Sequence, residues 1–302
     1  MRRHPGMASA VSAYSIWGVL PLYFALLASV GYADIFQHRI VWSAIMLGGF
    51  LLLRGQAAEA LRSFAQPRLA TLVAVSGLLI GCNWLFYAYA VLHGQTLEAS
   101  LAYFINPLLT ALMARVVFAE RLARYHIVAL ALGGAGVGWQ LIFLDRVPWI
   151  ALVLATTFAA YGLAKKKLAL PAMQGLWLET LCLLPVLFVV EHLPFWQASP
   201  LFAHASHPTT MLLLIGLGLT TTVPLILFSQ AAQRLPLVAM ALLQYLSPSI
   251  KFLVAVLFLG EALSLQKLFS YILVWIGVGV FIAGTVASSR LKDASAARRD
   301  PI

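Results

Sequence analysis

Charge is scarce in this sequence. Only 10% of its 302 residues are Asp, Glu, Lys or Arg, against about 25% in an ordinary soluble domain. A soluble globule of this length could not cover its surface with so few charges. Acid is rarer still, with Asp and Glu numbering 10 against 20 Lys and Arg. Two cysteines exclude a disulfide scaffold. No His-Glu-x-x-His stretch and no Ser–His pair near the middle of an apolar run offer a catalytic set, so an enzyme is not expected. Nucleotide-binding loops are missing as well. The one glycine-rich stretch, Gly133-Gly134-Ala135-Gly136-Val137-Gly138, lies inside an apolar run and follows no predicted strand. No cofactor and no metal are expected, and nothing in the chain addresses nucleic acid.

What the sequence has instead is apolar length, since 62% of its residues are hydrophobic. A helix needs roughly 20 such residues to cross a hydrocarbon core of about 30 Å. Ten runs qualify, over 8–29, 35–53, 69–92, 97–118, 125–143, 148–164, 174–191, 209–232, 236–259 and 267–287. Ala8-Ser9-Ala10 precedes the first run instead of following it, so that run reads as a span and not as a cleaved leader. With the N-terminus inside, 15 of the 20 basic residues fall on the cytoplasmic side and only Arg39, Arg146 and Lys267 outside. That bias predicts that both termini are cytoplasmic. Lys165, Lys166 and Lys167 then read as a topology anchor, and Arg115 as a snorkelled inner-end charge.

Shifting the chain by 141 residues aligns it with itself. Pro107 meets Pro248, Glu120 meets Glu261, and Gly77, Gly136 and Gly138 meet Gly218, Gly277 and Gly279. At a shift of 144, Trp17-Gly18 meets Tyr161-Gly162. The expected organisation is a five-helix repeat over 7–144, a second over 147–288, and a basic cytoplasmic tail over 289–302. Five is odd, so the second repeat enters the membrane inverted, an architecture recurrent in secondary transporters.

The segments His38-Arg39-Ile40-Val41-Trp42-Ser43, Leu97-Glu98-Ala99-Ser100-Leu101, Tyr103-Phe104-Ile105-Asn106-Pro107-Leu108, Thr222-Val223-Pro224-Leu225 and Gln244-Tyr245 together resemble the RarD branch of the EamA family, in the drug/metabolite transporter superfamily. The resemblance runs nearly the whole chain. It implies an all-α integral membrane protein of ten transmembrane helices in two inverted repeats, resident in the bacterial inner membrane. It also implies a central cavity lined mainly by spans one, three, four, six, eight and nine. The superfamily exports amino acids and other metabolites and carries sugar phosphates and nucleotide sugars. The expected function is export of small, amino-acid-like, drug-like or otherwise carboxylated metabolites by alternating access. A lipid or lipid-linked-sugar flippase and an uptake permease are the alternatives. The partners are a small-molecule substrate, the lipid bilayer and, as a candidate coupling ion, the proton. A monomer or weak oligomer is expected.

Polar groups at membrane depth are costly and mark function or internal pairing. Pro107 and Pro248 sit near the middles of spans four and nine, where each frees the carbonyl four residues earlier, at Tyr103 and Gln244. Asn106 and Tyr103 share a face with one freed carbonyl, and Gln244 and Tyr245 lie at the other. Pro224 is a third candidate kink, beside Thr220, Thr221 and Thr222. Lys251, near the centre of span nine, carries a charge whose insertion costs roughly 2.5–3.5 kcal/mol. It reads as a cavity cation for an anionic cargo, as the partner of Glu179, or as a packed or snorkelled residue. Glu179 reads as a proton-coupling carboxylate, as snorkelled, or as the partner of Lys165. Glu98 opens span four, where the helix dipole favours an acid; a coupling role stands beside that reading. His38, Arg39 and Trp42 cluster at the outer start of span two, either as a gate or as interfacial belt and snorkelled charge. Trp17, Asn83, Tyr87 and Tyr161 complete the candidate cavity wall. Gly77/Gly81 and Gly134/Gly138 have the spacing of close helix packing.

Overall fold

The prolines of this chain mark where helices start. In the computed structural model, α4 (Pro67–Leu92) and α9 (Pro208–Arg234) begin on proline, while α7 (Trp149–Lys167), α8 (Ala172–Val190) and α10 (Leu237–Leu243) follow Pro148, Pro171 and Pro236. A first-turn N–H has no helical partner, so its loss there costs nothing. The other helices are α1 (Pro5–Ala25), α2 (Tyr32–Leu53), α3 (Ala57–Ser63), α5 (Thr96–Phe118), α6 (Arg124–Leu141), α11 (Leu246–Leu257) and α12 (Leu265–Ala297). The structure describes residues 5–92, 95–143, 147–194, 196–258 and 265–297, and among them all regular structure is helical. Arg2, Arg3, Arg146, Glu261, Arg298 and Arg299 lie outside the described residues, as do the side chains of Glu98, Lys267, Arg290 and Lys292. Two left-handed residues end helices sharply: Gly55 (φ 66°) turns the chain after α2, and Ala119 (φ 50°) caps α5.

Among the described residues, eight helical stretches are long and apolar enough to cross a membrane. The two expected runs that fall short are α6, which opens Arg124-Tyr125-His126 and is glycine-rich, and α7, which ends in three lysines. The short α3, between α2 and α4, is not legible as an apolar run. The ninth expected run is two helices: α10 and α11 break at Gln244 and Tyr245. The backbone there supplies its own remedy, because the Gln244 carbonyl freed by Pro248 accepts from the Ser247 N–H at 3.2 Å. By contrast, α5 and α9 are unbroken through Pro107 and Pro224.

Large apolar side chains face outward all round the bundle; Leu53 is 90% exposed and Val116 74%. Such a surface is at home in lipid, not water. Inside, α1 packs on α9 and α11, α4 on α7 and α8, α2 on α8 and α9, and α5 on α7 and α10, with α6 against α12 on the outside. Glycine sets the closest approaches. A Cβ on Gly77 would meet the Glu179 carbonyl at 3.1 Å, and one on Gly81 would collide with Leu183. In α6 the contacts fall on different glycines from the expected pair. Gly133 abuts Tyr245 and Gly136 the Ser270 carbonyl at 3.0 Å, whereas Gly138 faces open space.

The end of the bundle that holds the start of α1 is tied shut by polar contacts. Glu120, in the α5–α6 link, accepts from the backbone N–H groups of Leu237 (2.9 Å) and Val238 (3.0 Å) at the head of α10. Lys166 pairs with Glu120 at 3.4 Å and donates to the Leu235 carbonyl at 2.6 Å. At the opposite end, the segment between α8 and α9 is strapped onto α2. Asp34 accepts from the Ser199 N–H (2.6 Å) and contacts His204 Nε2 (3.1 Å), while Trp196 packs edge-on against Phe36.

Candidate functional site: a cationic, aromatic-walled central cavity

A cavity of about 730 Å³ opens among α1, α2, α4, α5, α6, α7, α9, α11 and α12. Such a volume suits a compact organic molecule. Its wall contains all six spans expected from the resemblance, and adds Arg39 of α2, Gln140 of α6 and Gln266 of α12. The walls are built from Trp17, Trp84, Tyr87, Tyr103 and Phe158, with Asn83, Asn106, Gln140, Gln244 and Gln266 as the amides among them. Beneath the cavity, toward the tied end, Trp17, Phe158 and Phe228 stand at ring separations of 5.3–5.8 Å and form an aromatic floor.

Two cations line this space, and among the described residues no carboxylate does. Arg39 lies two turns inside α2. Its guanidinium stacks over Trp84 at 4.4 Å, and its Nε donates to Thr221 Oγ1 at 3.1 Å. That leaves the terminal nitrogens of the fork for a ligand. Lys251 Nζ sits 3.5 Å over the ring of Tyr103. The negative face of the ring stabilises an ammonium at a depth where water does not.

The chain matches the model of the EamA-like transporter family over residues 4–141. It is 38% identical to an uncharacterised transporter of Vibrio cholerae, across 97% of this chain and 95% of that protein. Protein RarD of Salmonella typhimurium is 37% identical, across 95% of this chain and 97% of that one. This chain belongs to the EamA-like transporter family. It is therefore a multi-pass membrane protein of the drug/metabolite transporter superfamily. A solved crystal structure shares its fold, with a TM-score of 0.70 over 92% of this chain and 97% of that chain at 19% identity.

In this EamA-family chain the structure sorts the residues singled out from sequence. Trp17, Arg39, Asn83, Tyr87, Tyr103, Asn106, Gln244, Pro248 and Lys251 line the cavity. Asn83 also braces it, donating to the Leu154 carbonyl (2.8 Å) and Thr157 Oγ1 (3.0 Å) of α7. Asn106 accepts from Thr110 at 2.9 Å, which leaves its amide NH₂ for other partners.

Others lie elsewhere. Tyr161 is fully enclosed and bonds Glu179 at 3.2 Å. Tyr245 is 1% exposed, with its hydroxyl toward the Phe104 carbonyl at 3.4 Å. Neither is at the wall, because each hydroxyl is drawn to an acceptor between helices. His38 accepts from Trp42 Nε1 at 2.9 Å, and both pack behind the wall, with Trp42 against Gly218.

Glu179 is not the partner of Lys251. It pairs with Lys165 at 2.8 Å, both side chains fully buried, and also accepts from Ser76. Lys165 is thus part of the core and not simply a topology anchor. Lys166 belongs to the tie at Glu120. The sequence pointed to no role for Asp34 and gave Glu120 only as a repeat match. The signal for Glu120 was there, in an acid placed two residues past a helix and repeated at Glu261.

Proposed function

We propose that this protein is a secondary transporter of the bacterial inner membrane that exports small carboxylated metabolites by alternating access. The observation that carries the reading is Lys251 in the wall of a closed-floored cavity at the centre of the bundle. Beyond the ring face of Tyr103, an ionised group held at membrane depth without a carboxylate partner among the described residues calls for a further group that compensates it. An anionic cargo does so.

Alternating access is supported by how the two halves meet. Tyr245 bonds Phe104, and these positions are 141 residues apart, the shift that aligns the halves. Gly136 abuts Ser270 while Gly277 abuts Ala129, a reciprocal pair under the same shift. Both contacts are what an inverted repeat of ten spans places on its pseudo-two-fold axis. On this reading α6 and α7 also cross the membrane, both termini are cytoplasmic, and the Glu120 tie closes the cytoplasmic side while the cavity faces out. The buried Lys165–Glu179 pair, which does not line the cavity, is structural and not the coupling site.

The test compares metabolites in the medium of cells lacking the protein with those of cells overproducing it, with Lys251→Met as control. One class of carboxylated compounds accumulating outside only with the intact protein is the expected result. No difference in any soluble compound refutes export.

A further inference from the structure

The charge count of the cavity says more than that the cargo is an anion. Two cations, Arg39 and Lys251, face one cavity whose other described walls are aromatic and aliphatic side chains, amides and two serines. Arg39 is held in register by Thr221 on one side and Trp84 on the other. Lys251 is held over Tyr103. Both therefore line one cavity, held from α2, α4, α5, α9 and α11, with no described acid in its wall. A monocarboxylate compensates one of the two charges and leaves the other buried. A zwitterion brings an ammonium into a site that already has two cations and no described acceptor acid.

We infer that the cargo is a dianion with a flat apolar body, its two negative charges carried by a pair of carboxylates or by one phosphate, and set against Arg39 and Lys251 together. This rests on the transport reading only in taking the cavity as the cargo site. The fork of Arg39 suits bidentate binding of either oxyanion, and Lys251 adds a point charge. The rings of Trp17, Trp84 and Phe158 receive the apolar body, and the amide NH₂ of Asn106 adds a neutral donor.

The experiment measures binding to the purified full-length protein in detergent, by ligand-induced thermal stabilisation. The probes share one ring and differ in charge: phthalate and phenyl phosphate (dianions), benzoate (monoanion), phenylalanine (zwitterion) and phenethylamine (cation). At least one dianion is expected to bind tenfold or more tightly than benzoate, with phenylalanine and phenethylamine weaker still. Which dianion wins distinguishes paired carboxylates from phosphate. In Lys251→Gln the preference for the dianion over benzoate should fall to within about threefold, and likewise in Arg39→Gln. Should Arg39→Gln fail to fold, Lys251→Gln decides alone.

Phenylalanine binding as tightly as the dianions overturns the inference but leaves a transporter standing. Glu98→Gln then shows whether that side chain receives the ammonium. A dianion preference unchanged in Lys251→Gln also overturns it. If no probe of any charge binds, the inference fails, and the cavity fails with it as the cargo site, whatever the metabolite comparison in cells shows.

Discussion

Lys165 and Glu179 form an ion pair at 2.8 Å with both side chains at 0% exposure, and the energetics of such pairs give a sharp prediction. Lys165→Met leaves the carboxylate enclosed with only the hydroxyls of Ser76 and Tyr161 as donors. Glu179→Met leaves an enclosed ammonium near the face of Tyr161. Stranding one partner of a buried pair costs about 3–5 kcal/mol, whereas replacing both with apolar side chains of similar volume is often neutral or stabilising by about 1–4 kcal/mol. The two single losses should therefore sum to about 6–10 kcal/mol, while the Lys165→Met/Glu179→Met double variant stays near the parent. That coupling is far above the scatter of about 0.3–0.5 kcal/mol expected for independent sites. Denaturant unfolding of the purified protein in mixed micelles reads all four corners of the cycle. A coupling below about 1 kcal/mol would refute the reasoning, since an energetic unit cannot behave additively. The same double variant should still transport. If it folds normally and is inactive, Glu179 is a working carboxylate and its assignment as structural is wrong.

Glu120→Ala should loosen the tied end, because two backbone N–H groups of α10 lose their acceptor, at a cost of about 1–2 kcal/mol for a lost helix cap. With Cys82 and Cys182 replaced, a cysteine introduced at the buried Ala241 should then react several-fold faster with a water-soluble maleimide; an unchanged rate counts against a gate there. Gly136→Leu and Gly277→Leu should each lower the melting temperature, because their Cβ positions lie 3.0 and 2.9 Å from carbonyl oxygens of the facing helix. Gly138→Ala and Gly279→Ala, which face open space, should instead raise stability by about 1 kcal/mol each through helix propensity. Asp34→Ala removes the acceptor for Ser199 and His204 and should make the segment over 191–207 cleavable by added protease, with the helical bundle left intact; continued resistance would mean that Trp196 packing alone holds it.

Helix positions and the membrane setting were legible because each depends on local composition or spacing. A long apolar run can satisfy its backbone in lipid only as a helix. The break at Gln244 was half-legible. Pro248 announced a disturbance, but whether a proline bends or breaks a helix depends on what fills the gap. At Pro107 the helix continues, while near Pro248 Ser247 turns back to the free carbonyl.

Chain spacing alone fixed the candidates Trp17, Asn83, Tyr103, Asn106 and Lys251, whose depth in a span can be counted. It could not choose among partners. Whether Glu179 met Lys251, Lys165 or water depended on which helices pack together, and α8 lies beside α4 and not beside α11. Arg39 shows the same division. Its distance into α2 is a sequence fact, but its aim into the cavity comes from Thr221 of α9 and Trp84 of α4, more than 40 residues away in either case. Secondary structure and membrane depth follow from short-range chemistry that any stretch of chain carries with it. The direction a buried charge faces is set by long-range packing, because only the neighbours decide where its compensation lies.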